Sequence, residues 1–117
     1  MKKKTICFDI DGVICRTTKS DYIKSIPNKK AINMINILYE SGYEIKIFTA
    51  RYMGRNFDNF KKAQKMGYQK TFNQLKKWNL KFHKLILGKP TFDLFVDDKS
   101  LDFNKEWITT LKKKLKI

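Results

Sequence analysis

Four short apolar runs, each ending near a residue able to do chemistry, constrain this chain more than any other feature. They are residues 5–10 (TICFDI), 44–49 (EIKIFT), 84–87 (KLIL) and 93–96 (DLFV). β-Branched, aliphatic and aromatic side chains dominate them, and Gly12, Gly42, the Gly88-Lys89-Pro90 stop and the Asp97-Asp98 pair bound them. Such runs read as buried strands. Between them lie helical spacings. Asn28 suits an N-cap for a helix over 29–41, whose apolar residues Ile32, Ile35, Leu38 and Tyr39 recur on one face, and Gly42 suits the C′ position. Two further helical stretches are expected at about 57–65 and 70–78, separated by Met66-Gly67, and a basic helix at about 103–115. Strands alternating with helices predict a three-layer, Rossmann-like α/β fold around a central parallel sheet.

At 117 residues the chain fits one domain, 1–117, with room for a core and little for a second lobe. Hydrophobic residues make up 42% and charged residues 32%, a globular composition. Lys2-Lys3-Lys4 looks briefly like the start of a signal segment, but Asp9 and Asp11 cut the apolar run that follows. No stretch approaches the roughly 20 apolar residues of a membrane helix. Cys7 and Cys15 lack metal-type spacing and are too few for a disulfide framework, so both are expected to be reduced thiols in the cytoplasm.

A parallel sheet collects the residues that follow its strands at one edge, where α/β proteins bind ligands. Here those residues are Asp9 and Asp11 after the first run, Thr49 at the end of the second, Lys89 after the third, and Asp97 and Asp98 after the fourth. A carboxylate can attack phosphorus, and Asp9 is the candidate nucleophile. Asp11, two residues on, can protonate the leaving oxygen and then activate water. Thr49 and Lys89 can bind and neutralise the phosphoryl group. Magnesium prefers one or two carboxylates plus substrate phosphate. Asp9 and Asp97 would supply the carboxylates and Asp11 its main-chain carbonyl. Asp98 would bind through water or hold another ligand.

The segments FDIDGV (8–13), IFTAR (47–51), LGKP (87–90) and FVDD (95–98), in this order, resemble the four motifs of the haloacid-dehalogenase-like superfamily. They span residues 5–98, nearly the whole chain. The resemblance implies a Rossmann-like fold, a phosphoaspartate at Asp9 and Mg2+ at Asp9, Asp11, Asp97 and Asp98. A second acid, here Asp11, accompanies phosphatases and phosphomutases in that family, whereas dehalogenases lack it. Val13 departs from the Thr of many members, at a variable position. Neither gap between motifs holds a cap domain: 12–29 suffices for a flap, and 49–84 reads as core helices. A capless member tends to act on large substrates or to close its site with a neighbouring subunit, so a homo-oligomer is one expectation. TAR after the second strand, LILGKP and VDD are most similar to small phosphatases of sugar or capsular-polysaccharide biosynthesis. Gly12, Ala50, Arg51 and Arg55 are the expected substrate-binding residues.

Several of these residues have plainer readings. Arg51 can bind phosphate or pair with an acid of its loop. Arg16 and Cys15 fall in the flap, and Tyr52 lies in the Arg51 loop. His83 is expected at the far end from the chemistry, and Trp78 and Trp107 in the core. Lys and Arg number 26 against 11 Asp and Glu, a net charge of +15 that favours anionic partners. Arg numbers only three, which argues against dedicated nucleic-acid readout. The expected substrate is a phosphorylated sugar or polyol. The competing readings are a polynucleotide 3′-phosphatase and a phosphate-binding module without catalysis.

Overall fold

In the computed structural model, which describes residues 4–117, strand β1 (Thr5–Phe8), strand β4 (Glu44–Thr49) and strand β5 (Lys84–Leu87) form one parallel sheet in the order β1-β4-β5. Residue 6 pairs with 45, 8 with 47, 47 with 85 and 49 with 87. Partners in register share a face, because side chains alternate along a strand. Ile45, Ile47, Thr49, Phe8, Leu85 and Leu87 therefore point one way and are buried, while Cys7, Lys84 and Ile86 on the other face are exposed. Parallel pairing also brings the chain after β1, β4 and β5 to the same sheet edge.

Helix α1 (Lys29–Glu40) forms as its spacing predicts. Asn28 caps it by accepting from the Ala31 N–H at 3.2 Å, and Gly42 follows at φ 97°. Ala31, Ile32, Met34, Ile35 and Leu38 are its buried face and pack into the main core. Helix α3 (Trp107–Leu115) adds Trp107 and Leu111 to that core, with the Trp107 ring 6.3 Å from that of Phe8. It begins four residues later than its spacing suggests. Asn104 accepts from both the Glu106 N–H, through its side chain, and the Trp107 N–H, through its carbonyl, which makes a turn of those residues.

Helix α2 (Phe60–Lys77) is continuous, where two stretches were expected. Gly67 lies inside it at a cost of about 1 kcal/mol relative to Ala, and packing explains its presence. The ring of Tyr52 lies against the helix there, and a Cβ on Gly67 would meet Tyr52 Cδ2 at 2.0 Å. Tyr52 holds a left-handed backbone, φ 67°, as the chain leaves the edge of β4. The Met66-Gly67 break read from the sequence is therefore a packing notch.

Residues 12–28 form the expected flap. Strand β2 (Cys15–Arg16) pairs antiparallel with strand β3 (Ile26–Pro27), and a 3-10 turn at Tyr22–Lys24 lies between them. The Ile10 carbonyl accepts from the N–H groups of Val13, Ile14 and Cys15, which turns the chain sharply out of β1.

The expected fourth strand at 93–96 does not form. Residues 91–100 are all exposed, with Leu94 at 81% and Val96 at 89%. An apolar run of four residues carries no information about a hydrogen-bonding neighbour, and this one has none in the sheet. Gly88, at φ 99°, and Pro90 turn the chain away after β5, and Phe92 and Phe95 pack on each other edge to face at 4.9 Å.

His83 and the two tryptophans sit where expected. His83 precedes β5, stacks on Tyr39 at 4.5 Å and accepts from the Ile45 N–H at 2.9 Å. Trp107 is buried, and Trp78 is half-buried against the same core. Among the described residues no helix is long and apolar enough to cross a membrane.

Candidate active site

A cavity of about 310 Å³ opens at the sheet edge, lined by Asp9, Asp11, Thr17, Ser20, Tyr22, Ala50, Arg51, Gly54 and Thr91. Four segments build it: the turn after β1, the flap, the loop after β4, and Thr91 from the chain after β5. Asp9 sits on the turn. Its Oδ1 accepts from the Ile10 N–H at 2.7 Å, and its Oδ2 is 3.2 Å from Lys89 Nζ. Lys89 reaches this position because its own N–H continues the β4–β5 pairing, donating to the Thr49 carbonyl at 3.2 Å. Phe92 and Phe95 flank the ammonium, with ring centroids 5.4 and 5.5 Å away.

Asp11 points at Arg51. Arg51 is 2% exposed, and its guanidinium grips the carboxylate with a fork: Nη2 donates to Oδ1 at 2.9 Å and Nε to Oδ2 at 2.9 Å. This is the planar, paired geometry that arginine makes and lysine does not. Arg51 thus pairs with an acid, but with one on the turn after β1 and not with one of its own loop. Thr17 of the flap also donates to Asp11 Oδ1, and Ser25 shares a hydrogen bond of 2.6 Å with Thr17. Cys15 Sγ lies 3.5 Å from Asp11 Oδ1, and burial raises its thiol above the ordinary cysteine range.

Thr49 is fully buried, and its Oγ1 accepts from the Arg51 N–H at 3.1 Å. It stands behind the cavity wall and shapes the turn that delivers Ala50 and Arg51. Gly12, at φ 88°, does not line this cavity; it borders a second one along the flap, with Val13, Arg16 and Asn28. Arg55 is at the rim, where Nη2 donates to the Ser20 carbonyl at 2.9 Å and the guanidinium lies over the rings of Tyr22 and Tyr52. It ties the flap to the loop after β4.

Asp97 and Asp98 depart from expectation. Both are exposed, and no group of three or more metal-ligating side chains forms among the described residues. Without the fourth strand nothing carries them to the edge. Asp97 Oδ1 accepts from the Lys99 N–H at 2.9 Å, and its carbonyl accepts from Ser100, so it closes a local turn. The Asp9 carboxylate and the Asp11 main-chain carbonyl still offer hard oxygens to a cation that keeps water and takes substrate oxygens.

Sequence reasoning missed Thr17, Ser20, Tyr22, Thr91 and Gln74. Thr17 and Ser20 lie in the 12–29 gap, where no motif marked them. Gln74 of α2 carried no signal at all, yet its amide touches both Arg51 and the flap.

No family model matches the chain, and no curated protein matches it significantly. Solved structures do. A protein from Vibrio cholerae aligns over 96% of this chain and 98% of its own, at 26% identity and TM-score 0.78. A chain of the Pnkp1/Rnl/Hen1 RNA repair complex aligns with 96% of this one at 13% identity and TM-score 0.53, and only 32% of its own length is covered. The D,D-heptose 1.7-bisphosphate phosphatase from B. bronchiseptica, complexed with magnesium and phosphate, aligns over 97% of this chain and 64% of its own, at 12% identity and TM-score 0.52. A parallel sheet flanked by helices, with the flap as the sole insertion after its first strand, thus gives this chain a haloacid-dehalogenase-like, Rossmann-type fold with no cap domain among its described residues.

Proposed function

We propose that this protein is a phosphatase that hydrolyses a phosphate monoester through an aspartyl-phosphate at Asp9. The observation that carries the reading is the placement of two carboxylates in one cavity with different partners. Asp9 meets an ammonium, and Asp11 meets a buried guanidinium. Asp9 stands beside the Lys89 ammonium as the nucleophile, and Asp11 lines the same cavity as the proton-transfer group.

In the first step an Asp9 carboxylate oxygen bonds to phosphorus, the ester P–O bond breaks, and protonated Asp11 gives its proton to the departing oxygen. In the second, Asp11 takes a proton from water as that water attacks phosphorus and frees Asp9. Lys89 offsets negative charge at the nucleophile and at the phosphoryl oxygens. The Asp9 carboxylate and the Asp11 main-chain carbonyl would hold Mg2+, with water and phosphate completing its shell. When bound, the ion supplies further charge neutralisation at the phosphoryl group.

The cavity volume suits a small ester, and its lining of hydroxyls and one alanine suits a polar one. We propose a phosphorylated sugar or polyol of the kind used in polysaccharide synthesis, turned over in the cytoplasm. The net charge of +15 favours a second reading, a polynucleotide 3′-phosphatase. Salt separates the two, because polyanion binding weakens steeply as salt rises.

The test is phosphate release from sugar phosphates, polyol phosphates and 3′-phosphorylated oligonucleotides, with Mg2+ and with EDTA, by wild type and Asp9→Asn. Metal-dependent release from one small-molecule class, lost in the variant, supports the first reading. Release from oligonucleotides alone moves the function to nucleic acid. Equal activity in Asp9→Asn removes the proposed chemistry.

A further inference from the structure

Both ends of the Gln74 side-chain amide are engaged, one by the loop after β4 and one by the flap. Oε1 accepts from Arg51 Nη1 at 2.6 Å, and Nε2 donates to the Tyr22 carbonyl at 2.7 Å. The amide can point only one way, since guanidinium nitrogen only donates and a carbonyl only accepts. Gln74 sits half-buried near the C-terminal end of α2, far in sequence from both partners.

Arg51 is consequently held on three sides. Asp11 takes Nε and Nη2, Gln74 takes Nη1, and the Tyr22 ring lies 4.8 Å from the guanidinium carbon. Ser25 Oγ, at 3.4 Å from Nη2, adds a weaker fourth contact. The plane of the guanidinium sets the plane of the Asp11 carboxylate, because a forked pair is coplanar. That plane has a chemical consequence. Asp11 Oδ1 accepts from Arg51, Thr17 and Cys15, whereas Oδ2 accepts from Arg51 Nε alone. Oδ2 is the oxygen left to exchange a proton with substrate.

We propose that Gln74 is a positioning residue that acts through Arg51 to aim Asp11 Oδ2, and that its hold on the Tyr22 carbonyl makes this aim depend on the flap being docked. The inference rests on the phosphatase reading for its consequence in catalysis, though not for its geometry. An opened flap withdraws the Tyr22 carbonyl and ring together, which frees Gln74 and uncovers the guanidinium. Substrate that keeps the flap docked thereby keeps the acid in line.

Gln74→Met conserves shape and removes both hydrogen bonds. The leaving-group dependence then separates positioning from mere support. An alkyl phosphate needs a proton on its departing oxygen, and p-nitrophenyl phosphate does not. We expect kcat/KM of Gln74→Met to fall about tenfold or more on the alkyl ester and by less than about threefold on the aryl ester, within the range of general-acid contributions. The Arg51 Nε–Hε resonance, assigned by its absence in Arg51→Lys, is expected as a slowly exchanging signal in wild type that shifts and exchanges faster in Gln74→Met. Equal losses on both esters, or no loss on either, overturn the proposal. So does an unchanged Arg51 signal. A wild type that cleaves neither ester, while Gln74→Met still moves the Arg51 signal, removes the phosphatase reading and leaves the positioning geometry standing. Should Gln74→Met not fold, Gln74→Glu serves in its place. It retains shape and competes with Asp11 for the guanidinium, so the same selective loss on the alkyl ester supports the proposal and rates equal to wild type overturn it.

Discussion

Lys89 Nζ lies 3.2 Å from Asp9 Oδ2, joining residues eighty positions apart at one end of the sheet. The contact exists because β1 and β5 both run parallel to β4 and end at the same edge. A partly buried ammonium beside the proposed nucleophile is placed to offset charge as the phosphoryl group is transferred. Lys89→Met is expected to lower phosphate release by about 10²-fold or more, the range for losing one preorganised charge-stabilising group. Steady-state kinetics with circular dichroism as a folding control measure it; a loss under threefold would remove Lys89 from the mechanism.

Gly67 and Tyr52 share one space between α2 and the loop after β4. Gly67→Ala improves helix propensity by about 1 kcal/mol but drives a methyl group into the Tyr52 ring. Buried overpacking of this kind costs about 1–3 kcal/mol. We expect the overpacking to win, giving a lower urea midpoint. The double variant Gly67→Ala, Tyr52→Leu should regain part of the loss, and a Gly67→Ala protein at least as stable as wild type would show that the ring moves aside freely.

Asn28 ends the flap and begins α1, so its cap matters to both. Asn28→Ala removes the acceptor for the Ala31 N–H and should cost about 1 kcal/mol. Denaturant unfolding reads the value. Because its own N–H donates to the Ile14 carbonyl at 2.8 Å and is retained in the variant, the flap's base should persist.

Loss of water around the sulfur raises the thiols of both Cys7 and Cys15 above the ordinary cysteine range, through burial at Cys15 and through partial cover by its neighbours at Cys7. A raised value means less thiolate at a given pH, so alkylation should be slow near neutrality and should accelerate as pH rises through the raised value. Cys7 is exposed and Cys15 is buried, so iodoacetamide should label Cys7 first. Mass spectrometry of the labelled peptides across pH 7–10 decides it, and preferential labelling of Cys15 at neutral pH would contradict the assignment.

Local pattern was enough for most elements. The run 44–49 became β4 and 84–87 became β5 at the expected bounds, and Asn28 and Gly42 bracket α1. Those features depend on interactions within a few residues: a side-chain cap, a glycine with positive φ, an alternation of apolar groups. The run 93–96 looked the same locally and failed, because a strand also needs a neighbour with free hydrogen-bonding groups in register. Gly67 misled for the converse reason, since its helix break was overridden by a ring fifteen residues away.

The same division runs through the site. The residue types Asp9, Asp11, Lys89 and Arg51, and their position after apolar runs, were legible in the sequence, because strand direction alone sends them to one edge. What each carboxylate faces was decided only in three dimensions. Arg51 turned inward to Asp11, Thr49 went behind the wall, Asp97 and Asp98 stayed in their own turn, and Gln74 entered from a helix with no motif. Order along a chain specifies which groups reach an edge. Distances of about 3 Å between them depend on side-chain packing from every element at once, and no local stretch of sequence contains that information.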